Sequence, residues 1–395
     1  MSSPQTLEKS AERGPSAAKS RILIIDKNPA SLRALRLCLE KTGHLILEAE
    51  NLTQAAQLMH KHPPALVLIG PDKPNAAQNQ DLCRSLKEGT PALRLFLLDD
   101  EPLPHEEKLK AFAAGACASY DKSAPPEAIA DDIKFFLGAS QPLLEPKSGA
   151  DRKFASGDHP PLSGPALVID DDAEMARLLA RHLSLSGLTP YVASSARRGI
   201  LLAHKIRPRA ILLDHGLPDE NGQTALSLLK ANPETHAIPV LMWTASMEEG
   251  REAECLSGGA DGYLIKGVHD ASAVPLWLQK VLRAPRTDEA NLLRAGPAVL
   301  NAASRSLAIG TETISELTPL EFELLAHLIS RSPAIVPWDE LSRRVWNLPA
   351  EMTGGNQASL AIKSTIKRIR RKLGSRESCL TIQRGVGLRF LPPAS

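Results

Sequence analysis

Five side chains able to do phosphoryl chemistry each stand just after a short apolar run. Asp170 and Asp171 follow the run 166–169, Asp214 follows 210–213, Thr244 follows 239–243 and Lys266 follows 262–265. If these runs are parallel strands of one sheet, their carboxyl ends open on one crevice and gather the five groups there. Three carboxylates in one place repel and raise one another's pKa. A hard divalent cation relieves the repulsion, and an all-oxygen donor set suits Mg²⁺. The metal neutralises phosphoryl oxygens, so a carboxylate can attack phosphorus and hold an acyl phosphate. The Thr244 hydroxyl and Lys266 ammonium would bind the remaining phosphoryl oxygens. One Asp or Lys at a strand end is ordinarily just a polar residue; five at the ends of the first, third, fourth and fifth strands form a constellation.

The elements that must position these groups are legible. The runs 166–169, 190–192, 210–213, 239–243 and 262–265 alternate with amphipathic stretches such as 173–186, where Met175, Leu178, Leu179, Leu183 and Leu185 mostly fall at helical spacing. Five β/α units predict a flavodoxin-like, doubly wound α/β domain. An ungapped shift of 144 residues finds a second copy upstream: Leu23, Ile25, Asp26, Leu35, Leu39, Gly43, Pro74 and Lys122 all recur. Its strands are predicted at 21–25, 65–69 and 93–98. That copy has Gly70 in place of Asp214, Lys27 in place of Asp171 and Asp100 in place of Thr244. Asp72 reads as a loop carboxylate. Lys122 remains, able to pair with Asp26 or Asp100.

Hydrophobic and charged fractions of 43% and 23% belong to a soluble globular protein, and 395 residues suggest two or three domains. Charge is unevenly spread. From Gly296 onward there are 13 Lys/Arg against 8 Asp/Glu, a net of +5 in a chain whose total is +2. Such a basic stripe is a footprint for nucleic acid. Cys38, Cys83, Cys117, Cys255 and Cys379 are scattered without metal-ligand spacing, as expected of reduced, mostly buried thiols. No apolar h-region opens the chain and no stretch is long enough to span a membrane, so a cytoplasmic location is expected.

The third stretch begins with strand-like segments at 298–300, 306–309 and 313–317. Helices follow at 318–331, 338–345 and 357–373, then a hairpin near 384–390. Thr318, Pro319 and Glu321 make a helix start. Along the last helix Ile362, Ile366, Ile369 and Leu373 form a core stripe. The opposite face carries Gln357, Ser364, Lys367, Arg368 and Arg371, flanked by Lys363, Arg370 and Lys372. A helix of this kind fits the major groove.

Two resemblances follow. The segments 168–171 (Val-Ile-Asp-Asp), 213–218 (Leu-Asp-His-Gly-Leu-Pro), 242–245 (Met-Trp-Thr-Ala) and 262–266 (Gly-Tyr-Leu-Ile-Lys) resemble the receiver domain of two-component response regulators. This implies that Asp214 accepts a phosphoryl group from a histidine kinase or phosphotransfer protein. Asp170, Asp171, Asp214 and the Gly216 carbonyl would hold Mg²⁺, Lys266 would bind phosphate, and Thr244 with Tyr263 would form the switch pair. Gly267 departs from the usual Pro. The segments 317–325, 366–373 and 384–390 resemble the OmpR/PhoB-type winged-helix effector domain, although Leu388 replaces the usual Tyr of the wing. That resemblance implies binding to double-stranded DNA, with Thr381 and Arg384 as phosphate binders beside the helix. It also implies a homodimer, and RNA polymerase contacts through the loop 348–356.

The expected organisation is a disordered tail (1–20), a degenerate pseudo-receiver domain that cannot be phosphorylated (21–139) and a linker (140–164). A phosphoacceptor receiver domain (165–284), a second linker (285–296) and a winged helix-turn-helix domain (297–395) follow. The function expected is that of a transcriptional response regulator, not an enzyme. Two alternatives are a phosphorylation-independent DNA-binding regulator and a receiver-based protein-interaction scaffold. Labelling by acetyl phosphate separates the first, and failure of residues 285–395 to shift promoter DNA would favour the second. A Mg²⁺-dependent phosphohydrolase is disfavoured because Gly216 stands where a second acid/base carboxylate would be needed.

Overall fold

The computed structural model describes residues 20–26, 29–70, 76–121, 123–146, 162–245, 254–256, 258–266, 271–282, 292–301, 305–315, 317–345 and 360–392. Lys27, Asp72, Pro74, Lys122, Gln357, Gly267, the tail 1–19 and the loop 348–356 lie outside the described residues. The chain divides into two compact units, one of residues up to Pro74 with Ala92–Glu101 and Tyr120–Ser140, the other of Asn75–Pro91, Pro102–Ser119 and Gln141–Ser395.

The upstream sheet uses β1 (Arg21–Ile25), β2 (Leu45–Ala49), β3 (Leu66–Ile69), β4 (Leu95–Asp99) and β5 (Ala118–Asp121) in the order β2-β1-β3-β4-β5. Between them run α1 (Pro29–Lys41), α2 (Leu52–Lys61), α3 (Ala76–Gly89) and α4 (His105–Ala113), with α5 (Pro126–Leu137) last. Every residue of β3 is buried, as in a parallel strand covered on both faces.

In the second unit β6 (Pro165–Ile169), β7 (Thr189–Ala193), β8 (Ile211–Leu213), β9 (Val240–Thr244) and β10 (Gly262–Ile265) form another five-stranded sheet, ordered β10-β9-β8-β6-β7. This is the same receiver-type α/β topology read from the other edge. Its helices include α6 (Ala173–Leu185), α7 (Ala196–Ile206), α8 (Gly222–Ala231) and α9 (Ala273–Leu282). Asp172, Ser195 and Asn221 cap the first three, each accepting backbone N–H groups of the opening turn. Helix α6 buries Ala176, Leu179, Ala180 and Leu183 but leaves Leu178 exposed, so the apolar face is narrower than its leucine content predicts.

The upstream copy slips by one residue at its fourth strand. Val67 pairs with Leu95, whereas the equivalent Ile211 pairs with Val240, so the offset of 144 becomes 145 there. The residue matching Thr244 is therefore Asp99, which is buried, and not Asp100, which is exposed.

The C-terminal part opens with an antiparallel sheet of β11 (Leu292–Ala295), β12 (Ala298–Asn301), β13 (Ser306–Ile309) and β14 (Glu312–Ile314). Strand β11 falls in the segment expected to be linker, where its pairing with β12 orders it. Then come α10 (Pro319–Arg331), β15 (Val336–Pro337), α11 (Trp338–Val345), α12 (Leu360–Leu373), β16 (Leu380–Gln383) and β17 (Gly387–Phe390). Strands β15, β17 and β16 make a small sheet. Helix α10 starts with the expected capping box: Glu321 N–H donates to Thr318 Oγ1 while Thr318 N–H donates to Glu321 Oε2. Among the described residues no helix is long and apolar enough to cross a membrane.

Candidate functional site

Strands β6 and β8 lie side by side, which brings their carboxyl ends together. Ile169 pairs with Leu213, and the Asp214 N–H donates to the Ile169 carbonyl at 2.8 Å. One oxygen from each of Asp170, Asp171 and Asp214 lies within 4.8 Å of the others. Asp170 and Asp214 are buried and Asp171 is exposed, so the cluster opens to solvent on one side. The three residues expected to meet do meet.

Lys266 reaches across from the end of β10, with its ammonium 2.8 Å from Asp214 Oδ2 and 2.9 Å from Asp170 Oδ2. It donates a hydrogen bond to Asp214 Oδ2 and forms an ion pair with Asp170 Oδ2. That oxygen is thus close to a positive charge yet buried without a hydrogen bond. Burial pushes the Asp170 carboxyl above its ordinary pKa; Lys266 works against this and Asp214 adds to it. For Lys266, burial favours the neutral amine, but Asp170 and Asp214 outweigh it and hold its pKa above the ordinary value.

The loop after Asp214 is held by its own backbone. Gly222 N–H donates to the His215 carbonyl at 2.7 Å, and a Cβ on Gly222 would collide with the Asp214 carbonyl. Asp219 caps α7 from outside, accepting the N–H groups of Ala196 and Arg197 at 2.9 Å each. Sequence reasoning gave Asp219 no role, since its partners are backbone groups more than twenty residues away. His215 N–H donates to Asp214 Oδ1 at 2.6 Å. Gly216, whose carbonyl is expected to serve a metal, is exposed two residues after Asp214. Thr244 is buried, and the Lys266 N–H donates to its carbonyl at 2.8 Å. Tyr263 pairs with Met242 on the adjacent strand and is partly buried.

Upstream, Asp26 N–H donates to Ala49 O and Gly70 N–H to Ile25 O, the same bonds that Asp170 and Asp214 make. The side chains differ. A Cβ at Gly70 would collide with the Asp26 carboxylate, which fills the space beside the glycine.

On α12 the apolar stripe is as expected, with Ile362, Ile366, Ile369 and Leu373 buried. The opposite face is only partly free. Lys363, Lys367 and Arg371 are exposed, as is Arg384 beyond β16; Thr381 is half-buried and donates to the Ser378 carbonyl at 3.2 Å. Ser364 and Arg368, expected on the open face, are buried. Ser364 donates to the Leu256 carbonyl, and Arg368 Nη1 donates to Leu256 O at 2.9 Å and Ala260 O at 3.1 Å. Arg368 Nε also reaches Glu321 Oε1 at 3.3 Å, and Lys372 pairs with Glu321 Oε2 at 2.7 Å. The partners that capture this face are backbone carbonyls just before β10, which have no signal in side-chain spacing, and a capping-box glutamate, whose spacing marks the helix start but not this contact.

Residues 166–274 match the family model of the response regulator receiver domain, and 311–390 match that of the C-terminal domain of transcriptional regulatory proteins. The chain is 28% identical over 233 residues to the KDP operon transcriptional regulatory protein KdpE of Escherichia coli, covering 57% of this chain and 98% of that protein. It is 34% identical over 184 residues to the DNA-binding dual master transcriptional regulator RpaA of Synechocystis, covering 46% and 76% respectively. With the transcriptional regulatory protein SrrA of Staphylococcus aureus, identity is 30% over 244 residues, 58% of this chain and 96% of that one. A receiver-type sheet carrying three clustered carboxylates, a basic helix behind it and relatives matched over most of their length lead to one conclusion: the chain belongs to the response regulators that join a receiver domain to a C-terminal DNA-binding domain.

Proposed function

We propose that this regulator is switched by phosphorylation at Asp214 and that the switch acts by releasing helix α12 for DNA. The observation that carries the reading is the burial of Arg368 and Ser364 against the carbonyls of Leu256 and Ala260. Arg368 cannot contact a DNA duplex while it is bonded there. The segment that holds it runs directly into β10, whose Tyr263 and whose successor Lys266 belong to the candidate pocket. A rearrangement around phosphorylated Asp214 therefore has a short path to the docked helix.

The donor set fits Mg²⁺. Asp170, Asp171, Asp214 and the Gly216 carbonyl are all hard oxygens, and the buried Asp170 Oδ2 lacks a hydrogen bond. When bound, the ion supplies positive charge to the phosphoryl oxygens. Asp214 attacks phosphorus through a carboxylate oxygen; the bond from phosphorus to the donor nitrogen of a histidine kinase or phosphotransfer protein breaks, and the electron pair stays on that nitrogen. Lys266 then exchanges its carboxylate partner for a phosphoryl oxygen, and the Thr244 hydroxyl turns toward another.

The upstream copy fits a degenerate pseudo-receiver, with glycine at the acceptor position and Asp26 filling the space beside it. The C-terminal part fits a winged helix, in which Lys363, Lys367 and Arg371 lead α12 into the major groove while Thr381 and Arg384 meet phosphates. A homodimer on paired half-sites is the expected DNA-bound form.

The test compares DNA affinity of the full chain before and after incubation with acetyl phosphate and Mg²⁺, beside Asp214→Ala. The parent alone should yield a phosphoprotein on a Phos-tag gel and should bind DNA more tightly once labelled. A parent that takes no label, or binds DNA equally well in both states, rejects the proposal.

A further inference from the structure

Outside the carboxylate pocket, a second group of ligand-bearing side chains converges within the second unit. Cys117 lies in the turn between α4 and β5, His204 on the last turn of α7 and Glu234 just after α8. One ligand atom from each lies within 4.8 Å of the others. Cys117 and His204 are fully buried, and Glu234 is largely buried. Spacing along the chain gives no hint of the group, because its members come from three separate β/α units.

The three positions are fixed by other bonds. Asn232, fully buried, donates through Nδ2 to the Ala116 carbonyl at 2.8 Å and accepts the Glu234 N–H on Oδ1 at 2.8 Å. One side chain therefore sets the residue before Cys117 and the backbone of Glu234 together. Arg207 holds the other side. Its guanidinium donates to the carbonyls of His204 and Glu234 and lies 2.7 Å from Glu234 Oε2. It does so from the helix C-cap position in a left-handed conformation, φ 48°, that is uncommon for a non-glycine residue. Lys87 sits 2.7 Å from Glu234 Oε1. His204 Nδ1 faces Glu234 Oε2 at 3.3 Å, while its Nε2 is buried with no hydrogen-bond partner.

We propose that Cys117, His204 and Glu234 bind a borderline-soft divalent transition ion of the Zn²⁺ class. Thiolate, imidazole and carboxylate together form a mixed sulfur–nitrogen–oxygen donor set, distinct from the all-oxygen Asp170 pocket and suited to a different metal. Three protein ligands leave a fourth position for water. A carboxylate has lone pairs enough to serve a metal while Lys87 and Arg207 hold it from outside, as outer partners commonly orient a metal-binding carboxylate. On binding, the Cys117 thiol loses its proton to solvent and the sulfur–metal bond forms, with no change of oxidation state. The ion would clamp the turn after α4 onto α7 and α8.

The test uses the full chain, stripped with a chelator, kept reduced, and supplied with excess Mg²⁺ to occupy the carboxylate pocket. Co²⁺ is titrated as the probe. One equivalent should produce a near-ultraviolet thiolate-to-cobalt charge-transfer band, displaced by Zn²⁺. The band should vanish in Cys117→Ser, weaken in Glu234→Gln and persist in Asp170→Asn. Absence of the band in the parent, or its survival in Cys117→Ser, overturns the proposal and leaves a buried ion-pair cluster. If Cys117→Ser fails to fold, zinc-edge X-ray absorption of the parent decides: one sulfur neighbour supports the site, and only nitrogen and oxygen neighbours refute it.

Discussion

The Asp26 carboxylate occupies the space into which a side chain on Gly70 would have to grow. An acceptor side chain at position 70 would therefore have to displace the Asp26 carboxylate as well as be present. Gly70→Asp should not restore phosphorylation. It should instead destabilise the protein by about 1–3 kcal/mol, the usual range for overpacking, with charge repulsion between the two carboxylates adding to this. The check is a denaturant midpoint together with acetyl phosphate labelling of Gly70→Asp in an Asp214→Ala background. A labelled double variant would sink the reading.

Asp170 should set the acid limit of Mg²⁺ binding. Its pKa is raised, chiefly by burial, and the ion needs the ionised carboxylate. As pH falls through that raised value the carboxyl takes up a proton and affinity drops, at a higher pH than an unperturbed aspartate would allow. Lys266 pulls the Asp170 pKa down, so Lys266→Met should move the loss to still higher pH. Mg²⁺ titrations by calorimetry across the acid range, on both proteins, measure the displacement. A shift in the opposite direction would show that Lys266 competes with the metal more than it ionises the aspartate.

Much of this pocket was legible because parallel strands send their carboxyl ends to one side. Asp170, Asp214 and Lys266 each follow an apolar run, and the sheet order did the rest. The one-residue slip that makes Asp99 the counterpart of Thr244 was not legible, since an ungapped comparison cannot register a loop shorter by one residue. Strand β11 was missed because four residues without alternation give no period to detect; its order comes from pairing with β12. The docking of Arg368 was invisible for a deeper reason. Its acceptors are the carbonyls of Leu256 and Ala260, and every residue has a carbonyl. Spacing predicts which face of a helix is polar, and only tertiary structure tells whether that face meets solvent.

Glu321 should matter more for stability than its place at a helix start implies. It is fully buried, accepts the Thr318 N–H and faces both Arg368 and Lys372. Glu321→Ala removes the cap partner and leaves the buried Arg368 without its carboxylate, a loss expected to cost about 3 kcal/mol or more. Thermal or urea unfolding of the variant tests this. A change below about 1 kcal/mol, the level of a surface pair, would mean that the guanidinium is satisfied by the receiver carbonyls alone.

The basic residues of α12 should separate into two classes by salt and by hydrogen exchange. Lys367 and Arg371 are exposed, so replacing either by Ala should leave stability unchanged within about 0.5 kcal/mol. Each change should weaken DNA binding and, if it removes a phosphate contact, reduce the slope of log affinity against log salt by about 1. Arg368→Ala should behave differently, because under the proposed release the same side chain would serve two partners in turn. Before phosphorylation its loss removes the bonds to Leu256 and Ala260, so amide exchange around 254–260 and in α12 should rise. After phosphorylation its loss removes a cation from the DNA face, so affinity should fall. The variant would then bind DNA more weakly than the parent when both are phosphorylated, while the gap between its unphosphorylated and phosphorylated affinities narrows. If exchange near 254–260 is the same in Arg368→Ala as in the parent, the docked helix is not held by this residue and the release mechanism fails.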